Sequence, residues 1–223
     1  MMATWGLHLR LAEAVLNRGY DLDEAMFAVG NIGPDCGVPN EDWSAFDPPS
    51  EVSHWKVSAK GGIESEKFYD AYLGRGIEDY GQKSFLIGYY VHLLTDIAFT
   101  KLYKEMKEKN PLYAPLQENP KFIWTIKEDW YDLDHVYFRD HPDSLFHRVF
   151  QHVTQVPNYL NYYPEGAILR QVKNITAYYK EPSDNLDRDY IYLSSEVMNQ
   201  FIEDTVGGIC EVLESKALVK VNE

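Results

Sequence analysis

The apolar positions of the chain recur with helical spacing, and prolines and glycines separate the segments that carry them. In the first segment His8, Leu11 and Val15 share one helix face, and Asp21 or Asp23 can cap a short helix over 24–29. Further helical patterns occupy residues 64–80, 83–108, 119–139, 142–157, 165–179 and 188–217. No alternating run typical of a strand interrupts them. The pattern predicts an all-α fold, a multi-helix bundle of about seven helices.

Residues 30–60 are the exception to this pattern, because they show no periodicity and contain four prolines. A structureless connection of that length inside a compact domain usually has a function. Metal ligation by its polar residues would tie such a loop down.

The length of 223 residues predicts a single domain over 1–223. The 21 basic and 35 acidic side chains give a net charge of −14, which disfavours nucleic acid or an anionic membrane as the main partner. The start of the chain lacks the pattern of a signal peptide, and no apolar run reaches the roughly 18 residues of a membrane span. With only two cysteines, these features predict a cytoplasmic protein without stable membrane insertion.

The most informative motif is the HxxxD pair in GYYVHLLTDIAF, in which His92 and Asp96 are one helical turn apart. Their surroundings are apolar, so a buried imidazole and carboxylate need partners there. A metal ion supplies them. Gly88, one turn earlier, would let another backbone or a substrate approach the pair.

Three upstream residues are further candidate ligands. His8 lies on the apolar face of the first helix, Asp35 ends the turn NIGPD, and His54 stands in SEVSHWK. Each has an alternative role: a histidine can be satisfied within the core, a turn aspartate can bond its own backbone, and His54 can cap a helix.

A later acid, Asp134, borders the apolar face of the segment 119–139 and is a possible substitute ligand. The alternative is a surface ion pair with Lys127 or Arg139, which the sequence slightly favours. The histidines at 141, 147 and 152 share no clear apolar face and are interpreted as structural or exposed.

Taken in order, these segments resemble the zinc-dependent phospholipase C family, an all-helical group that includes the catalytic domains of bacterial lecithinase-type toxins. The S1/P1-type nucleases share its general architecture. The resemblance covers about residues 4–100 and rests on His8, GPD with Asp35, SHW with His54, and the HxxxD pair. It implies that Asp35, His54, His92 and Asp96 hold one zinc ion, and that Asp96 bridges to a second ion held by His8.

The sequence departs from the family at three places. Secreted members use an amino-terminal tryptophan as a ligand, whereas Trp5 follows four residues here and lies only three before His8. Leu102 stands where the family has a histidine six residues after the aspartate of the pair, and His147 with Gln151 is the nearest match to a later HxxxE pair. The resemblance therefore implies two ions and leaves a third site incomplete.

The resemblance predicts hydrolysis of phosphoester bonds by a metal-activated water, with Asp35 orienting or deprotonating that water. Trp43, Trp55 and Tyr89 are candidate walls of the substrate pocket. The predicted substrate is a small-molecule or phospholipid-derived phosphoester. Two alternatives stay open: an HD-type nucleotide metallophosphohydrolase, although the chain lacks a contiguous His-Asp doublet, and a non-catalytic helical protein with a vestigial metal site.

Overall fold

The computed structural model describes residues 2–42, 44–59 and 61–221, and within these ranges the chain is an all-α protein. Its nine α-helices in this part of the chain are α1 (Trp5–Leu16), α2 (Glu24–Gly30), α3 (Ser50–Ser53), α4 (Ser65–Phe68), α5 (Tyr80–Lys109), α6 (Ile123–Asp140), α7 (Leu145–Arg148), α8 (Ala167–Lys180) and α9 (Ser195–Ser215). The predicted fold class is confirmed. The buried apolar side chains form one core that runs from Ala3 to Val219.

The long segment over residues 30–60 has more structure than its sequence indicates. A 3-10 turn, Gly33–Asp35, opens it, and the strands β1 (Val38–Pro39) and β2 (Phe46–Asp47) pair antiparallel before α3 begins. The strands are only two residues each, too short for an alternating pattern to show.

Two predicted helices are much shorter in the structure. The segment predicted over 64–80 is helical only over Ser65–Phe68 and a π-helical turn, Tyr69–Leu73, because Gly74 and Gly76 follow. The segment predicted over 142–157 retains α7 and the 3-10 turn Phe150–His152. There Val153 is extended and Pro157 disfavours helix in the residue before it.

Helix ends elsewhere follow local capping. The Asp23 side chain accepts a hydrogen bond from the backbone N–H of Met26 and begins α2, as predicted. Asp79 caps α5 in the same way, and α5 ends at Asn110 before Pro111. Within the described residues, none of the helices combines the length and the apolar character needed to cross a lipid bilayer.

Helices α2 and α5 cross in close contact at the centre of the molecule. A Cβ atom at Gly88 would lie 2.2 Å from the carbonyl oxygen of Phe27, and one at Gly30 would lie 2.0 Å from that of Phe85. Only glycine permits backbones to approach this closely. The prediction that Gly88 admits another backbone is confirmed, and the end of α2 is thereby held against His92, one turn further along α5.

Candidate metal centre

Five of the six predicted ligands come together in the interior. They are His8 of α1, Asp35 of the 3-10 turn, His54 at the end of α3, and His92 and Asp96 of α5. Asp35 has the most exposed side chain of the five, at 7%, and the other four are at 2% or less. Asp35 therefore lies on the side of the cluster that solvent reaches.

The carboxylate of Asp96 lies among three imidazoles. Its Oδ1 is 3.5 Å from His8 Nε2, whereas its Oδ2 is 3.7 Å from His92 Nε2 and 3.8 Å from His54 Nε2. Hydrogen bonds from N–H to oxygen are shorter, at about 2.7–3.2 Å. Ligands about 2.1 Å from a tetrahedral ion lie roughly 3.4 Å from one another, so the spacing fits atoms that share a cation.

The inward-facing atoms also lack partners. Nε2 of each of the three histidines and Oδ2 of Asp96 are buried and make no hydrogen bond within the described part of the chain. Leaving such a group unsatisfied costs about 1–3 kcal/mol. Unpaired donor atoms gathered in this way fit bound metal, which would accept their lone pairs.

Among the residues that the structure describes, two overlapping sets could hold a metal ion. The first is His8, Asp35 and His92, and the second is His54, His92 and Asp96; in each set the ligand atoms lie within 4.8 Å of one another. The sets divide the ligands differently from the resemblance, which assigns Asp35 and His54 to one ion. Asp35 Oδ1 does lie 3.2 Å from His54 Nε2, so these two can also share an ion.

Hydrogen bonds at the far side of two rings aim Nε2 at the cluster. Nδ1 of His92 donates to the carbonyl oxygen of Asn31 at 2.7 Å, because a carbonyl can only accept. This fixes the neutral tautomer whose Nε2 lone pair points inward. Nδ1 of His54 makes a hydrogen bond with Ser53 Oγ at 3.0 Å.

The electrostatics of the cluster favour anionic carboxylates. Burial raises the pKa of Asp96, but the imidazoles of His8 and His92 outweigh burial and hold that pKa well below its usual range. The pKa of Asp35 is likewise lowered against its burial, chiefly by His54. Deprotonated carboxylates are the form that binds metal.

The pKa values of the two stacked histidines, His8 and His92, shift in opposite directions. Burial, and then the charge of His92, lowers the pKa of His8. Burial also lowers the pKa of His92, but Asp96 and Asp35 more than offset it and the net pKa is raised. Their rings are parallel with centroids 3.7 Å apart, a contact that disfavours charging both.

The amino-terminal segment contacts this cluster through Ala3. The backbone N–H of Ala3 donates to Asp96 Oδ1 at 2.9 Å. Trp5 begins α1 with its indole edge-on to Tyr178, 5.9 Å between ring centroids. That the tryptophan ligand of the family is missing here stays a prediction.

Asp134, the sixth predicted ligand, is buried but belongs to neither set. Its Oδ2 accepts a hydrogen bond from the Tyr179 hydroxyl at 2.8 Å, and burial raises its pKa to about 6. The expected surface ion pair with Lys127 or Arg139 is wrong, because the side chain points into the core, where Arg10 is the cation that acts on it.

Of the predicted pocket walls, Tyr89 is fully buried and braces the loops of the site. Its hydroxyl donates to the carbonyl of Ser53, next to His54, and lies 3.1 Å from the hydroxyl of Tyr163. Tyr163 in turn donates to the carbonyl of Gly33 at 2.7 Å. Tyr89 thus links α5 to the segments that carry His54 and Asp35, and its hydroxyl is already engaged.

The other two predicted walls are tryptophans. Trp55, half-buried, packs edge-on against Phe68 and Tyr72 at 5.7 and 6.0 Å, with a positive φ of 50°. Its role in substrate binding stays a prediction. Trp43 lies outside the described residues.

The remaining histidines of the sequence argument make ordinary contacts. Nδ1 of His141 hydrogen-bonds the carbonyl of Tyr137, and Nε2 of His147 that of Phe138, while the Gln151 amide donates to the carbonyl of His147. These contacts agree with the structural role assigned to both histidines. His152 is exposed, and Cys36 is buried with its thiol on the carbonyl of Ile32, so neither enters a ligand set.

Sequence reasoning missed the groups that orient the ligands, namely Asn31 and Ser53, and also Lys127, whose pKa the charges of Asp35 and Asp96 raise against the effect of burial. The first two act through a backbone carbonyl and a short hydroxyl, which carry no pattern. The sequence suggests Lys127 as a partner for Asp134, and its place between Trp124 and Trp130 is the signal that could have identified it.

Comparison with protein-family models, with curated proteins and with solved structures gave no match to this chain.

Proposed function

We propose that this protein is a metal-dependent hydrolase of phosphoester bonds, similar to the zinc-dependent phospholipases C. The observation that carries the proposal is the position of Asp96, whose two oxygens face different histidines at distances suited to shared cations. Oδ1 faces His8, and Oδ2 faces His54 and His92. A carboxylate so placed can bridge two ions.

Zinc is the metal that the mixed histidine and carboxylate donors favour. His54, His92 and Asp96 would hold one ion, His8 and Asp96 would contribute to a second, and Asp35 can reach either set. Such ions supply Lewis acidity, which makes water more acidic and stabilises negative charge at phosphorus.

Asp35 is the residue that we assign to proton transfer. Its carboxylate is the most exposed of the five, and its pKa is lowered, so the anion is available to orient or deprotonate a water at the site. Its Oδ1 lies 3.2 Å from Nε2 of His54, so the carboxylate stands beside a residue that would hold metal.

The substrate is proposed to be a soluble phosphoester. The net charge of −14 gives the protein little means to adsorb to an anionic bilayer. Phosphodiester hydrolysis should therefore be faster on short-chain or monomeric esters than on long-chain phospholipid vesicles.

The test combines elemental analysis with a panel of phosphomonoesters and phosphodiesters at matched concentration. We expect bound divalent metal and hydrolysis that a chelator abolishes and zinc restores. Metal below about 0.2 equivalents, with no tight zinc binding on titration, would refute the metal centre. Bound zinc without hydrolysis would favour a non-catalytic protein with a vestigial metal site. Selective hydrolysis of nucleotides would favour an HD-type enzyme. A clear preference for vesicles would refute the soluble substrate.

A further inference from the structure

Lys127 of α6 is a half-buried cation surrounded by aromatic rings. Its Nζ lies 5.3 Å from the ring centroid of Trp124, 5.7 Å from that of Trp130 and 5.8 Å from that of Tyr131. Trp130 is fully buried whereas Trp124 is 62% exposed, so the ammonium lies between the core and solvent. Rings attract a cation without using up its three hydrogen-bond donors.

Within the described part of the chain, this lysine has no anionic partner in direct contact. Over residues 2–42, 44–59 and 61–221, no carboxylate lies within 4 Å of its Nζ, and the side chain makes no hydrogen bond. Other lysines of the chain do pair: Lys67, Lys109 and Lys216 each contact a glutamate. Lys127 is thus a charge held in place by rings, with its donors free.

The helical spacing puts Lys127 on the face of α6 that packs against α1. Lys127, Tyr131 and Asp134 stand at i, i+4 and i+7, on one face of α6. Asp134 abuts the first turn of α1, where a Cβ at Gly6 would lie 2.3 Å from its Cγ. That turn also carries His8.

Electrostatics agree with this placement. Burial lowers the pKa of Lys127, and the charges of Asp35 and Asp96 raise it. Both carboxylates belong to the candidate metal centre, so the ammonium lies within the field of the site. Asp35 also acts on Tyr131, one turn away on the same face.

We infer that Lys127 forms an oxyanion-binding subsite beside the metal centre and binds a phosphoryl oxygen of the substrate. This inference rests on the proposed function. A chain of net charge −14 repels anions at long range, so a phosphoester needs a local cation. A lysine prepositioned by three rings provides one at little entropic cost, because its side chain is already ordered.

The experiment measures binding of inorganic phosphate to zinc-reconstituted protein by calorimetry, with zinc content determined for every variant. Lys127→Gln should weaken phosphate binding about tenfold, as expected for loss of one charge-assisted hydrogen bond. Lys127→Arg should stay within about threefold of the wild type, because arginine also stacks on rings and donates to phosphate. Lys173→Gln, which removes an exposed lysine of α8, is the matched control and should leave phosphate binding unchanged.

The outcomes separate this inference from the proposed function. Equal phosphate affinity in the wild type and Lys127→Gln, or no phosphate binding by zinc-loaded wild type, would overturn the subsite. A wild type that binds zinc and phosphate but hydrolyses nothing would refute the hydrolase while the Lys127 comparison still holds. A loss of zinc in Lys127→Gln alone would also overturn the subsite, because the residue would then support the metal ligands instead.

Discussion

Two buried aspartates in this protein have opposite surroundings. Asp96 of α5 is enclosed by imidazoles whose inward nitrogens have no hydrogen-bond partner, and its pKa is held well below the usual range. Asp134 of α6 accepts a hydrogen bond from Tyr179, and burial raises its pKa to about 6. Burial alone does not make a carboxylate a ligand, because the neighbouring donors decide whether it is an anion waiting for a cation.

The same contrast extends to the groups around each acid. The Tyr179 hydroxyl that donates to Oδ2 of Asp134 also accepts from the N–H of Gly6 at 2.8 Å, whereas Oδ1 of Asp134 has no hydrogen-bond partner among the described residues. Around Asp96 the outer nitrogens of His54 and His92 are bonded and the inner ones are not. The first arrangement joins three helices, and the second is open toward its centre.

Removing the charge of each acid should have very different effects on metal. Asp96→Asn should lower zinc affinity at least about 100-fold at each ion, because the lost carboxylate contacts both sets of donors and one ligand accounts for roughly a quarter of a total of about 10–16 kcal/mol. Asp134→Asn should change zinc affinity less than about twofold, since an amide oxygen still accepts from Tyr179. Competitive zinc titration with a chromophoric chelator measures both.

Phosphoester hydrolysis should fall with metal content in Asp96→Asn and persist in Asp134→Asn. Near-wild-type metal content and activity in both variants would show that the HxxxD pair is not a metal site. An equal loss in both would instead make Asp134 a ligand and remove the contrast.

The pH dependence of stability should provide a second test of the difference between Asp96 and Asp134. The folded-state pKa of Asp134, about 6, lies above its ordinary value of 3.8, so charging this carboxyl costs the folded protein more than the unfolded chain. Its neutral form stabilises the fold at low pH, and that advantage is lost as the pH rises from about 4 to about 7. The wild type should therefore lose up to about 3 kcal/mol of unfolding free energy relative to Asp134→Asn over this interval.

Urea unfolding of both proteins with a chelator present, at several pH values, gives this difference directly. The other titratable groups are common to both proteins and cancel in the comparison. If the unfolding free energies of the two proteins change with pH in parallel, then ionising Asp134 costs the folded protein nothing and its surroundings are polar.

The two regions also differ in how far the sequence predicts them. The spacing of His92 and Asp96 is local, so the shared helix face could be predicted, and the apolar neighbours made burial expected. That His8, Asp35 and His54 join this pair depends on the crossing of α2 and α5 at Gly30 and Gly88, which no periodicity encodes. Only the order of motifs, through the resemblance, brought those three residues into the same hypothesis.

For α6 the pattern put Asp134 at the border of the apolar face and slightly favoured a surface ion pair, whereas the side chain is buried in the core. What the pattern could not predict was its partner, because a helical face does not identify the helix that packs against it. The same limit hid Lys127, whose significance comes from a neighbouring site and not from its own helix. Helix ends over 64–80 and 142–157 were wrong where glycine, proline and backbone bends outweighed apolar periodicity.

The smallest predicted effect concerns the hydrogen bond that orients His54. Ser53→Ala removes the hydroxyl 3.0 Å from Nδ1 and should lower zinc affinity about tenfold, the lower end of what loss of a ligand's supporting bond costs. The effect stays modest because Tyr89 still holds the backbone of Ser53 through its carbonyl, so only the ring orientation is released. Ser144→Ala is the matched control: this serine is also buried, its hydroxyl has no partner among the described residues, and it stands at the N-cap position of α7, which carries none of the candidate ligands. Zinc titration of the three proteins should show a lower zinc affinity than the wild type for Ser53→Ala alone.

Equal zinc affinities in all three proteins would mean that packing, without the Ser53 bond, suffices to aim His54 at the centre of the cluster. The contrast with Asp134 would then rest on Asp96 and its unpaired neighbours alone.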